Sequence, residues 1–263
     1  MQLEALHRRV IMDARVIHEA VNTVFPAKMP KQYQGRAFNL SAFLRRLNAT
    51  TESLGVVNDV VAEKGIPKNT VLMTAQWLPE DCLPVNGSSA DVRLEWNINT
   101  QSRRQTWTQK EWSKRRFYFW SYLMHELIHR HQDMYRGTMR GQESFARVYR
   151  ARVESGILKE EQIYLGDYDE IEAHAHDVAL EMRMWYPGSS YRDALVQMKM
   201  QAPPRGAITC QGSSTYVVYT QAFATTPKHP ALSVFHRKIK TWWHLMGAQP
   251  DFYQSLHLET SWR

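Results

Sequence analysis

Cysteine is scarce in this chain: two in 263 residues, Cys82 and Cys210, far apart and in no metal-like spacing. That excludes a disulfide framework and a cysteine-built metal site, and it suits a reducing compartment. No apolar run reaches the length of a membrane span. Met1 to Arg9 lack the charged-then-apolar order of a signal peptide. A cytoplasmic protein without a membrane partner is therefore expected. There is no internal repeat and no low-complexity segment.

Acidic residues are in deficit, 26 Asp and Glu against 33 Lys and Arg, which leaves a net charge of +7 and a pI near 9.4. The balance favours acidic partners, nucleic acid included, but the excess is spread along the chain rather than gathered in one block. Hydrophobic residues make up 43% and aromatics 11%. That is enough to bury the core of one large or two small domains. Nothing in the composition indicates an oligomeric state.

The most informative stretch is His125-Glu126-Leu127-Ile128-His129. On a helix, residues four apart lie about 40° apart around the axis, so the two imidazoles project from one face and can bind a single zinc ion. Glu126 sits about a quarter-turn around from His125, outside the first shell but within reach of a metal-bound water, where a general base is needed. Such a five-residue pattern arises by chance roughly once in a hundred chains of this length. Its surroundings sharpen the signal. Thr108 with Glu111 makes a capping-box start, and the chain reads as one helix without Gly or Pro to about His131. Trp112, Phe119, Leu123 and Leu127 fall on one side of it; Phe117, Met124 and Ile128 fall on another. A helix apolar on two sides is buried, and buried imidazoles and carboxylates need partners.

Upstream, Leu3, Leu6, Val10, Ala14, Ile17 and Val21 predict a helix over residues 2 to 24, stopped by Pro26 and Pro30. A second helix is expected from Ser41 to Lys64, with a break at Gly55. Thr70 to Trp77 suits a strand. Val92 to Asn99 alternates with period two and is the clearest strand, whose free edge would be able to hold an extended peptide across a metal. Pro79 to Asp91 reads as a loop between them. Lys114 to Trp120 interleaves basic and aromatic residues, but on a helix most of those rings point into a core. Gln142 to Glu154 predicts a short basic helix in which Arg147, Arg150 and Arg152 form a solvated face.

A second dense stretch runs from Tyr164 to Asp177. Ile171, Ala175, Val178, Met182 and Trp185 form one apolar stripe, which predicts a helix capped by Asp167 or Asp169 and ended by Pro187 and Gly188. Glu170 and Glu172 lie about 100° to either side of that stripe, so periodicity does not choose between them as a third ligand. The Glu170 flank also carries His174, Asp177 and Glu181, a polar row suited to orienting a zinc-bound imidazole. The Glu172 flank runs through His176 and Ala179 to Arg183 and reads as solvated. His174 or His176 would complete a three-histidine site instead. Beyond this, a helix is expected near Tyr191 to Gln201, a break at Ala202 to Gly206, a strand at Tyr216 to Ala222, and a last helix from Pro230 to Met246.

Together, His125-Glu126-Leu127-Ile128-His129 and Glu170-Ile171-Glu172-Ala173-His174 resemble the zincin metallopeptidases, in the gluzincin arrangement where a glutamate on a second helix completes the site. With Tyr164, Asp167 and Asp169 before the second motif, the chain is most similar to uncharacterised metallopeptidase-like proteins encoded by bacteriophages. The resemblance covers about Val92 to Trp185. A metzincin is excluded, because Gln132 and Tyr135 stand where that class has Gly and His. The resemblance implies an α+β, zincin-like fold, mostly helical with a small sheet beside a buried HExxH helix. The chain as a whole is expected to divide into a helical scaffold (1–68), a catalytic core (69–187) and a C-terminal helical segment packed on the core (188–263).

The resemblance further implies Zn2+ bound by His125, His129 and Glu170, with Glu126 as general base in peptide-bond hydrolysis. His174, Asp177 and Tyr168 are orienting or oxyanion candidates, with Tyr164 and His236 as further oxyanion donors. The partner would be a protein or peptide substrate, met in the host cytoplasm if the chain is phage-encoded. Two other readings fit the same residues. One is a non-catalytic, zinc-stabilised interaction or structural protein on a zincin fold. The other is a DNA-associated protease, which draws on the basic balance alone.

Overall fold

A computed structural model describes residues 2–67, 70–77, 92–99, 104–138, 160–200 and 214–256. Its contacts divide the chain into two units. One holds the described parts of Ala5–His131 and Gln254–Leu258; the other holds residues 2–4 and the described part of Gln132–Tyr253. The secondary structure is mostly helical with a small mixed sheet, an α+β composition. Among the described residues no helix is long and apolar enough to cross a membrane.

The first unit opens with α1 (Leu3–Val24), which buries the expected stripe of Leu6, Val10, Ala14, Ile17 and Val21. After a two-residue strand β1 (Phe38–Asn39), the Asn39 side chain accepts the Ala42 N–H and caps α2 (Leu40–Thr51). A single 3-10 turn (Glu52–Leu54) then ends at Gly55, whose φ of 78° lies in the left-handed region where glycine is favoured. From here the chain departs from the sequence expectation. Val56 to Glu63 is not a continued helix but a strand, β2. The reversal at Gly55 frees Val56, Val57, Val60 and Val61, whose branched side chains suit a pleated surface better than a helix.

β2, β3 (Val71–Trp77) and β4 (Val92–Asn99) form a sheet of order β2-β4-β3. β4 runs parallel to β2, with Val56 opposite Val92, and antiparallel to β3, with Trp96 opposite Met73. This corrects a second expectation: β4 is the central strand, hydrogen-bonded along both sides, and has no free edge to hold a peptide. Trp96 donates its indole N–H to Asn58, which is locked to Asn48 of α2 through backbone and side chain, so the helix-to-sheet packing is polar-keyed as well as apolar. A strand pair β1 and β5 (Arg104–Gln105) closes beside it.

Phe25, Phe43, Trp96, Trp107, Trp112 and Phe119 then pack mostly edge to face into one aromatic core, for example Phe25 on Trp112 at 4.6 Å. Arg116 is buried within it and donates to the carbonyls of Phe25 and Leu256 and to Asn22 Oδ1, which satisfies a charge that burial alone would expel. Burial lowers its pKa to about 10, so it stays protonated at neutral pH.

α3 (Gln109–Thr138) begins in the first unit and passes into the second at His131 and Gln132. The capping box is made in both directions: Thr108 N–H to Glu111 Oε2 at 2.8 Å, and Glu111 N–H to Thr108 Oγ1 at 3.2 Å.

The second unit is helical. α4 (Glu160–Leu165) leads through Gly166 into α5 (Tyr168–Trp185), capped by Asp167 through the Asp169 N–H. Around it lie α6 (Tyr191–Lys199), α7 (Thr215–Ala222), α8 (Pro230–Gly247) and α9 (Pro250–Ser255). α8 packs along α5, where Trp242 donates its indole N–H to the Glu172 carbonyl at 3.1 Å. Tyr216 to Ala222, expected as a strand from its Tyr and Val content, is helical. Ser214 caps it through the Val217 N–H, and burial of Tyr216, Val217 and Tyr219 outweighs a weak strand propensity. The expected helix at Gln142 to Glu154 lies outside the described residues, as do the loop at Pro79 to Asp91 and the break at Ala202 to Gly206.

Candidate metal centre

α3 carries Leu123, Met124, Leu127 and Ile128 fully buried, and this holds His125 and Glu126 almost wholly out of solvent, with His129 half-buried. The two imidazoles meet. Their Nε2 atoms are 3.1 Å apart, with ring planes inclined at 72°. Two nitrogens bound to zinc at about 2.0–2.1 Å and at the tetrahedral angle lie roughly 3.3 Å apart, so the pair fits one ion without rotamer change.

Just past the motif, His131 Nε2 lies 2.9 Å from Asp13 Oδ2 on α1, and Arg130 Nη1 lies 3.8 Å from the same oxygen. Burial pushes the Asp13 carboxyl up, but the His131 hydrogen bond and the two neighbouring basic groups outweigh it and hold the group below its ordinary range. The turn of α3 that carries Arg130 and His131 is thereby tied to α1 within the first unit.

In the second unit, α5 sorts its polar residues onto two flanks. On one, Glu170 Oε2 is 3.7 Å from His174 Nε2, and His174 Nδ1 is 4.0 Å from Asp177 Oδ2. The His174 ring also faces Tyr219, centroid to centroid 5.7 Å, and Tyr219 is itself fixed by donating to the Leu165 carbonyl at 2.6 Å. Farther along, Glu181 is fully buried and accepts the backbone N–H and hydroxyl of Thr215 at 2.9 and 2.8 Å, docking the start of α7. Burial pushes its carboxyl up to about 8, only partly offset by those hydrogen bonds.

The other flank is not solvated as its sequence suggests. Glu172 is buried, and Lys238 of α8 donates to its Oε1 at 2.9 Å, with Gln132 Nε2 within 3.5 Å of Oε2. Lys238 also sits over the Tyr168 ring at 4.6 Å. Although burial pulls the ammonium down, its contacts with Tyr168 and Glu172 raise its pKa above the ordinary lysine value. Tyr168, half-exposed, thus belongs with Glu172 rather than with Glu170, as expected for residues four apart on a helix. His176 is fully buried against Trp242, with Nδ1 3.4 Å from Asp177. His236 is hydrogen-bonded to the Tyr216 hydroxyl at 3.1 Å, and burial with nearby Lys199 lowers its pKa.

Each unit therefore gathers part of the expected donor set: His125 with His129 in one, Glu170 with His174 and Asp177 in the other. The partners missed by sequence reasoning, Lys238 for Glu172 and Asp13 for His131, come from distant helices and leave no local pattern. Compared with protein-family models, curated proteins and solved structures, the chain matches none.

Proposed function

We propose that this chain is a zinc-dependent metallopeptidase of zincin type in which His125, His129 and Glu170 hold one zinc ion. The observation that carries the reading is the approach of the two Nε2 atoms to 3.1 Å on a buried helix, with Glu126 one residue from His125. A structural site has no use for a carboxylate at that position, whereas hydrolysis requires a base there.

The choice of Glu170 as third ligand is supported by what its rival is doing: Glu172 already has an ammonium at 2.9 Å. A carboxylate engaged in a buried ion pair gives it up only at a cost of several kcal/mol. Glu170 instead sits in a row with His174 and Asp177, its Oε2 3.7 Å from the His174 ring and that ring 4.0 Å from Asp177, a polar row suited to orienting a ligating group.

When bound, zinc supplies Lewis acidity, lowering the pKa of water toward 7 and polarising a peptide carbonyl. Glu126 takes the proton from the attacking water at its carboxylate and delivers it to the departing amide nitrogen. Glu126 is itself almost wholly out of solvent, which keeps bulk water from competing for that proton.

The test is elemental analysis of the purified protein beside His129→Ala. One zinc per chain is expected in the parent. The variant should lose zinc and thermal stability together, because metal binding to the folded state is folding free energy. Full zinc retention in the variant refutes the assignment.

A further inference from the structure

We propose that a pocket of about 340 Å³ in the first unit, formed by α1, the 3-10 turn after α2 and Arg130, binds a free basic α-amino acid. This site is separate from the zinc reading and does not rest on it. One wall is the pair of Asp13 and Arg130, with the guanidinium Nη1 3.8 Å from the carboxylate Oδ2. A negative and a positive group side by side complement the α-ammonium and α-carboxylate of one amino acid: the ammonium on Asp13, the carboxylate on the fork of Arg130. Asp13 is held for this by His131, 2.9 Å from its Oδ2.

Glu52 lines the same pocket at its exposed rim, so the lining carries two carboxylates against one guanidinium. The Glu52 carboxylate complements a side-chain cation, which favours lysine or arginine over neutral and acidic amino acids. The methylene stem has its own surface in Val16 and Leu54. Val16 is 54% exposed, beside the buried stripe of Val10, Ala14, Ile17 and Val21 on the same helix. The volume falls at the low end of small-ligand pockets, in keeping with a single amino acid rather than a peptide.

The experiment is isothermal titration of the full chain with L-lysine, L-arginine, L-norleucine and cadaverine. Norleucine lacks the side-chain cation and cadaverine lacks the carboxylate. Saturable binding of lysine and arginine is expected, with the other two at least tenfold weaker. Because Asp13 also anchors His131, the variants are placed at exposed positions instead. Val16→Trp fills the pocket and should abolish lysine binding. Glu52→Gln should erase the preference for lysine over norleucine while the protein stays folded. Absence of saturable binding by either basic amino acid overturns the proposal, as does norleucine binding as tightly as lysine or unchanged lysine binding in Val16→Trp.

Discussion

Glu172→Ala and Glu170→Ala should fail in opposite ways, and the difference can be worked from the contacts around α5. The Glu172 side chain is 8% exposed and its partner Lys238 17%. Removing one member of a buried pair strands the other, at a typical cost of about 3–5 kcal/mol. Lys238 keeps its place over Tyr168 and some access to water, so the low end, about 3 kcal/mol, applies here. In a chain of this size that corresponds to a fall in Tm of roughly 6–12 °C. Zinc content should be unchanged. Lys238→Met should behave the same way, since it strands the carboxylate instead.

Glu170→Ala should lose zinc. Its Tm should then no longer respond to a chelator, whereas the parent and Glu172→Ala should both fall on chelation by an amount that grows with the affinity lost. The assay is thermal unfolding with and without chelator, paired with elemental analysis of each variant. Zinc lost from Glu172→Ala and retained in Glu170→Ala would refute the ligand choice.

Three other outcomes are expected. Glu126→Gln keeps the size of the side chain and removes the base, so it should fold and hold zinc while turnover of any substrate found by cleavage mapping drops at least a few hundredfold; an unchanged rate rejects the mechanism. Glu181 carries a folded-state pKa raised to about 8 from 4.5, so its protonated form is the one the fold prefers. The stability it supports is complete below about pH 4.5 and is lost as pH rises through about 8. Urea unfolding should therefore show a decline over that window that flattens in Glu181→Gln, and an identical pH profile for the two proteins counts against the buried acid. Gly247 lies under Arg183, whose guanidinium packs 3.8 Å over the Trp243 ring and donates to the Trp243 carbonyl at 2.6 Å. A Cβ there would overlap the guanidinium, so Gly247→Ala should destabilise by about 1–3 kcal/mol despite Ala being the better helix former; a gain in Tm would show that Arg183 swings away freely.

Signals that are local in the chain were legible in it. The capping box at Thr108 and Glu111, the Asp167 cap and the alternation of Val92 to Asn99 each depend on residues within a few positions of one another, and each forms as expected. The failures come where a local signal has two outcomes that only packing separates. Val56 to Val61 and Tyr216 to Tyr219 are both rich in branched and aromatic residues, yet one is a strand and the other a helix. What differs is the neighbouring stop or start: Gly55 at a φ of 78° ends the preceding helix before the first, and Ser214 caps the second. The role of β4 was misjudged for a related reason. Alternation marks a strand but says nothing about how many neighbours it has, and the parallel partner β2 lay in a segment read as helix.

The two carboxylates of α5 show how far this limit reaches into the site. Seen along the helix they are equivalent, each about a quarter-turn from the apolar stripe, and only the polar row beside Glu170 tilts the choice. The physical distinction arrives 66 residues later in the chain, when α8 lays Lys238 against Glu172. An ammonium at 2.9 Å changes what the carboxylate can do: its charge is already compensated, and the indole of Trp242 on its backbone carbonyl fixes the turn that carries it. The opposite flank sets His174 between the carboxylates of Glu170 and Asp177, at 3.7 and 4.0 Å. A row of acids and imidazoles is an electrostatic setting that a divalent ion stabilises. The assignment of Glu170 thus draws more from the cation that α8 brings to its neighbour than from any pattern around Glu170 itself.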